Sequence, residues 1–104
     1  MEISKKDYKL FCEKSQAWQE RYMRRLCELY KDILNSSYSA SVKWNTLYER
    51  MMKDKGNPGV TMDMDKNMIG MNLVNLFQSG VITEEDLEGF SSDFRKWAVS
   101  FMSD

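Results

Sequence analysis

The chain has 104 residues, of which 42% are hydrophobic and 30% charged, and its formal net charge is −1. This length and composition predict one globular domain with its own core and exclude a disordered chain. The sequence has no histidine, which removes Ser-His and Cys-His nucleophilic pairs and nearly all zinc sites. Since no apolar run reaches the roughly eighteen residues of a membrane span, we expect a soluble, cytoplasmic protein.

A first helix is predicted from about residue 4 to residue 34. Ser4 can cap its N-terminus, with Asp7 as the reciprocal acid of a capping box. At 100° per residue, its apolar side chains share about half of the circumference. They are Phe11, Cys12, Trp18, Tyr22, Met23, Leu26, Cys27, Leu29, Tyr30, Ile33 and Leu34. Because such a helix is about 45 Å long, we expect it to span the whole domain or to reach a second copy.

The two cysteines, Cys12 and Cys27, both lie in this helix. At 1.5 Å per residue they are about 22 Å apart, so they cannot form a disulfide bond with each other. Neither belongs to a Cys-x-x-Cys pair, and we expect both to be small, buried, reduced thiols.

A second helix, at about residues 40–55, follows the polar linker NSSYSAS. Its apolar residues share one arc of about 140°. These residues are Ala40, Trp44, Leu47, Tyr48, Met51 and Met52. Gly56 and the sequence Asn57-Pro58-Gly59 end this helix.

A third helix, at about residues 65–79, is apolar nearly all round and ends at Gly80. That pattern is typical of a central helix or of a helix with a second face for a partner. A short helix at 84–88 has Thr83 and Asp86 as its capping box. A last helix, at about 92–102, starts at Ser91 or Ser92. The whole pattern predicts a single-domain, all-α bundle of four main helices plus one short helix.

The stretch Asp63-Met64-Asp65-Lys66-Asn67 has acidic or amide side chains at every second position, as at the start of a calcium loop. The sixth position of such a loop would be Met68 instead of glycine, and the twelfth would be Val74 instead of glutamate. We therefore interpret these carboxylates as groups that start a helix, and we expect no metal.

Methionine is concentrated in the region from residue 51 to residue 71, which contains six of the nine. A Cu(I) site is one interpretation of this cluster, core packing is a second, and an adaptable partner-binding surface is a third. For the third interpretation, the candidate partner-binding residues are Met62, Met64, Met68, Met71, Asn75 and Tyr30.

The two halves of the chain differ in charge: residues 1–55 carry 12 Lys/Arg against 8 Asp/Glu (+4), and residues 56–104 carry 3 against 8 (−5). This polarity favours electrostatic complementarity within the chain or between copies in a head-to-tail order. A continuous basic stripe is missing, although Arg21, Arg24, Arg25, Lys53 and Lys55 are the residues that a nucleic acid would contact.

The acids Glu84, Glu85, Asp86 and Glu88 fit the first turn of a helix better than a catalytic pair. No Gly-rich phosphate loop or Gly-x-Ser-x-Gly elbow occurs, so we expect neither an enzyme nor a cofactor. The predicted function is protein–protein interaction, with homodimer formation included. The alternative is a nucleic-acid-associated regulator or accessory protein of a bacterium or phage.

Overall fold

The longest element of the structure is the helix α1, Lys5–Leu34, which is followed by α2, Ala40–Asp54, α3, Ile69–Gln78, and α4, Ser92–Val99. A 3₁₀ turn, Lys66–Met68, leads directly into α3, and a second 3₁₀ turn, Glu84–Leu87, connects α3 to α4. The computed structural model describes residues 1–102; residues 103 and 104 lie outside the described part. The predicted all-α, single-domain fold with a long first helix is confirmed.

The first turn of α1 is capped by Ser4, whose hydroxyl accepts a hydrogen bond from the Asp7 amide at 3.1 Å. The prediction that Asp7 is the reciprocal acid of a capping box is wrong. Its buried carboxylate instead accepts hydrogen bonds from the Ser91 amide, at 3.0 Å, and from the Ser91 hydroxyl, at 2.6 Å. The start of α1 lies beside the start of α4. The Asp7 carboxylate therefore bonds to Ser91 of the distant segment instead of to the backbone amide of Ser4.

The core is built against the N-terminal half of α1. It contains aromatic residues of α1 and α4 and the aliphatic residues of α3, together with the segment that leads from α3 to α4. Its members are Ile3, Phe11, Trp18, Ile69, Leu73, Leu76, Val81, Ile82, Leu87, Phe90, Phe94 and Ala98. Within residues 1–102, no hydrophobic side chain between positions 23 and 61 belongs to this core or packs against it.

The C-terminal half of α1 and the whole of α2 form what we call the α1–α2 hairpin, residues 23–55. The molecule is elongated, with extents of 52 × 26 × 23 Å, as expected when one helix continues well past the core. Leu26 is buried in this hairpin, but Leu29 and Leu34 are exposed. The prediction of two buried thiols is wrong, because Cys12 is half-buried and Cys27 is exposed. α1 has no covering layer at Cys27.

The loop after α2 ties the hairpin back to the core. The Asn57 side chain donates a hydrogen bond to the Tyr22 hydroxyl at 3.2 Å, and Gln19 donates one to the Pro58 carbonyl at 3.0 Å. Gly59 lies flat against the Tyr22 ring, where a Cβ atom would overlap the ring carbons. The loop can make this approach only with glycine at position 59.

The basic side chains of α1 hold the acidic C-terminal half of the chain. Arg21 forms a bidentate pair with Asp86, at 2.9 and 3.0 Å, and also donates to the Val81 carbonyl. Arg25 donates to the Gly80 carbonyl at 3.0 Å. The opposite charges of the two halves therefore meet, in part, inside one chain.

Two predicted helix bounds need correction at the C-terminal end. The element predicted at 84–88 is a four-residue 3₁₀ turn, although the capping box of Thr83 and Asp86 is present as predicted. The last helix ends at Val99, not at Met102, because the Phe101 and Met102 amides donate to carbonyls three residues back, those of Ala98 and Val99, instead of four. Across residues 1–102, none of the helices combines the length and apolar character needed to cross a membrane.

Candidate functional site

The side of α2 that faces the rest of the molecule is largely polar. Ser39 caps the helix by accepting a hydrogen bond from the Val42 amide. The residues of α2 that are at least half-buried are Lys43, Thr46, Leu47 and Asp54, and only Asp54 is fully buried, at 7% exposure. An amphipathic helix normally turns its apolar side toward its own core. α2 does not.

The opposite side of α2 carries the helix's large apolar residues. We define the α2 apolar face as Trp44, Tyr48, Met51 and Met52, whose exposed fractions are 65%, 52%, 50% and 45%. At 100° per residue, these four fall within about 100° of arc, centred roughly 140° from the polar side. The rings of Trp44 and Tyr48 stack, with their centroids 5.5 Å apart and their planes 6° apart.

A polar cluster around buried Asp54 fixes α2 against α1 in this orientation. The Tyr30 hydroxyl donates to the Asp54 carboxylate at 2.5 Å, and the Arg50 side chain donates to the same carboxylate at 3.1 Å. Burial, together with the hydrogen bond to Asp54, raises the pKa of Tyr30 to about 12. Tyr30 therefore remains a neutral donor at physiological pH, and the cluster holds the rotation that points the α2 apolar face outward.

The structure does not bring the six predicted partner-binding residues into one surface. Met62 and Met64 are half-buried and pack against the core. The Met68 and Tyr30 side chains are also half-buried. Met71 and Asn75, one turn apart on α3, are the two members of the set that are exposed. A partner-binding role for the set stays a prediction.

Two of the five basic residues considered for nucleic-acid binding are already used inside the chain. The Arg21 guanidinium is engaged by Asp86 and the Arg25 guanidinium by the Gly80 carbonyl. The pKa of Arg21 is raised, first by its hydrogen bond with Asp86. The rest of the basic set, Arg24, Lys53 and Lys55, is exposed.

The acidic segment 84–88 lines an open groove of about 760 Å³ between the second 3₁₀ turn and α4. Its walls carry charges of both signs, with Glu84, Glu85 and Glu88 on one side and Arg95 and Lys96 on the other. Burial raises the pKa of Asp86, but hydrogen bonds from Arg21 and the Thr83 amide outweigh it and leave this pKa below 3.8. A general acid needs the opposite shift.

The carboxylates of the stretch 63–67 are engaged by the backbone. Asp63 accepts a hydrogen bond from the Asp65 amide, and Asp65 caps the first 3₁₀ turn by accepting one from the Asn67 amide, both at 2.9 Å. The interpretation as a helix-start group is confirmed for Asp65, whereas Asp63 bonds to the backbone just before the turn. Within residues 1–102, no three His, Cys, Asp or Glu side chains are grouped so that they could hold a metal ion.

The sequence placed Trp44, Tyr48, Met51 and Met52 on one predicted arc with Ala40 and Leu47, and a partner-binding role was considered only for the methionine-rich region that includes Met51 and Met52. The candidate surfaces were placed on the first and third helices instead. The periodicity of α2 measures how amphipathic the helix is, and it carries no information on whether the apolar side meets the chain's own core. One signal was present in the sequence: the predicted helices have more apolar faces than the core of a 104-residue domain can cover.

Comparison of the chain with protein-family models, with curated proteins and with solved structures finds no match in any of the three.

Proposed function

We propose that this protein is a non-enzymatic docking protein whose contact surface is the α2 apolar face. The observation that carries the proposal is that Trp44, Tyr48, Met51 and Met52 are all about half exposed or more, on one side of one helix. Tryptophan, tyrosine and methionine are among the residues enriched in the buried centres of protein interfaces.

The size of this face supports a functional role. With roughly 200–250 Å² for each whole aromatic side chain and about 200 Å² for methionine, the four exposed fractions leave about 450 Å² in contact with water. Contiguous apolar patches of this size on a monomer are often functional. At about 25 cal/mol per Å², covering the face is worth about 11 kcal/mol before the costs of association.

The position of the face also supports docking. The α1–α2 hairpin lies outside the core, so a partner can cover it without disturbing the packing of α3 and α4. The Tyr30–Asp54 hydrogen bond holds α2 in place before any partner arrives. A surface that is already ordered loses little conformational freedom on binding.

The two cysteines are free, and Cys27 is exposed. An exposed free thiol suits a reducing compartment, and the cytoplasm is the location we propose. Catalysis and bound cofactors have no part in the proposal.

Site-specific photo-crosslinking in the source cell tests the proposal. Replacing Tyr48 by the photo-reactive residue benzoylphenylalanine should give a discrete crosslinked adduct after illumination. The matched control replaces Glu49, the next residue, which is exposed and points about 110° away from the centre of the face. It should give no such adduct. Absence of an adduct at position 48, or equal adducts at both positions, contradicts the proposal.

A further inference from the structure

We propose that the α2 apolar face is covered by the same face of a second copy of this chain, with the two α2 helices antiparallel about a two-fold axis. This inference rests on the proposed docking function and names its partner. Three properties of the face carry it: its area, its lack of charge and its position along the helix.

The area of the face matches what a stable dimer needs. A standard interface buries about 800 Å² on each partner, of which about 60% is apolar, or roughly 480 Å². The α2 apolar face offers about 450 Å² by the fractions exposed. The α2 apolar face of each copy therefore supplies nearly all the apolar area that its side of such an interface needs. Each face meets a partner face of its own size and composition.

The face is free of charge, so a copy of itself meets no like charge. Within about 80° of its centre, α2 adds only Ala40, Ser41 and Asn45 to the four apolar residues. The charged residues of the helix lie outside this arc, and the first cation within it is Lys55, after the helix ends. A partner selected by charge would find no ion to pair with on this face, whereas an equally neutral face fits.

The position of the face allows a closed pair. Tyr48 lies one residue past the middle of α2, Ala40–Asp54, so a two-fold axis through it aligns the two helices over nearly their full length. Two hairpins joined in this way place the two α2 helices side by side between the two copies of α1, with both cores at the outside. Such an isologous contact closes on itself, because each copy uses the same face. The antiparallel order also opposes the helix dipoles.

Sedimentation velocity over a range of protein concentrations tests this inference first. The chain, of 12.3 kDa, should sediment as a dimer at high concentration and dissociate on dilution. Tyr48→Glu should weaken the dimer at least about 100-fold, because it places two carboxylates at the axis. Val42→Glu is the matched control: Val42 is 45% exposed on the same helix but lies roughly 130° from the centre of the face. It should leave dimerisation unchanged.

Salt provides an independent readout. The α1–α2 hairpin carries seven Lys/Arg against four Asp/Glu, or +3, so two hairpins repel each other. Added salt screens this repulsion and should strengthen the dimer. A self-association that weakens with salt contradicts the contact between two α2 apolar faces and indicates instead that the basic hairpin meets the acidic C-terminal half of a second copy.

A disulfide test reports the geometry. In a chain with Cys27→Ser, Tyr48→Cys should give a disulfide-linked dimer on mild oxidation, since position 48 lies at the axis. Trp44→Cys should not, because the two copies of position 44 are about 12 Å apart along the helix axis. Equal linkage at both positions, or linkage at position 44 alone, contradicts the antiparallel arrangement.

The outcomes separate this inference from the proposed function. Suppose the wild-type chain remains monomeric at all concentrations but position 48 crosslinks to a different protein. This result overturns the inference that a second copy covers the face, and it leaves the proposed docking function intact. A monomeric chain with no adduct overturns both. Far-UV circular dichroism should show unchanged helix content for Tyr48→Glu, since that side chain is exposed in the single chain.

Discussion

The pairing of Asp7 with Ser91 links the two ends of the chain, and its removal should be costly. Asp7 is 3% exposed, and its carboxylate accepts two hydrogen bonds from Ser91. Asp7→Ala leaves those two donors without an acceptor. Since hydrogen bonds to charged groups contribute about 1.5–3 kcal/mol each, we expect a loss of about 3 kcal/mol in the free energy of unfolding. For a domain of this size, that lowers Tm by about 12–15 °C.

The effect should depend on pH in a defined direction. Burial raises the pKa of Asp7, but the hydrogen bonds from Ser91 outweigh it and leave this pKa below 3.8. A depressed pKa in the folded state gives stability that is fully present above the unfolded value and is lost as pH falls through the folded value. The difference between wild type and Asp7→Ala should therefore be complete at about pH 6 and shrink below about pH 4.

Urea unfolding of the wild type and Asp7→Ala at both pH values measures these differences. Glu13→Ala, an exposed acid on the same helix, is the control and should change stability by less than about 0.5 kcal/mol. A double-mutant cycle with Ser91→Ala should show strong coupling between the two sites. A loss below about 1 kcal/mol for Asp7→Ala, or a loss that is independent of pH, refutes this reasoning.

Three further predictions concern the hairpin and its base. Gly59→Ala forces the Tyr22 ring to move and should cost about 1–3 kcal/mol in urea unfolding; a neutral result contradicts the close contact. Tyr30→Phe removes the donor to buried Asp54 and should cost about 1.5–3 kcal/mol, whereas equal stability would mean that the hydrogen bond does not hold α2. The Cys27 thiol is exposed and should react quickly with Ellman's reagent in the folded protein; Cys27→Ser should remove that fast phase, and its persistence contradicts the assignment.

Local signals in the sequence predicted the helices well. Ser4, Thr83 and Ser91 cap the elements that they were expected to cap, and Gly80 ends the third helix with a φ of 69°. Each of these signals acts within a few residues of the chain, where the backbone groups of a helix end need partners. These signals can therefore be interpreted without knowing which distant parts of the chain pack against the helix.

Long-range choices could not be predicted in the same way. Asp7 matched a local capping pattern, yet Ser91, 84 positions away in sequence, provides its donors. The methionines at positions 62 and 64 share their residue type with Met71, but the first two pack on the core and the third is exposed. Residue type and spacing describe a single helix, whereas the burial of its side chains depends on which other element packs against it.

The α2 apolar face is the clearest example. Its four residues were predicted from spacing to share an arc with Ala40 and Leu47. Its outward direction follows from buried Asp54, which accepts hydrogen bonds from Tyr30 of α1 and from Arg50 of α2 itself. The Asp54 carboxylate lies on the side of α2 that faces α1, and a buried carboxylate must be hydrogen-bonded. This requirement fixes the rotation of α2 about its own axis. The sequence contains all three residues, but only the folded chain shows that they meet.

Hydroxyl-radical footprinting tests the central claim most directly, since tryptophan, tyrosine and methionine are the side chains it labels well. In the dilute purified chain, Trp44, Tyr48, Met51 and Met52 should be oxidised quickly, while buried Trp18 is protected. In the concentrated protein or in extracts of the source cell, the same four residues should become protected and exposed Tyr38 should not. Protection of the four already in the dilute chain, or rapid oxidation under every condition, would contradict the account.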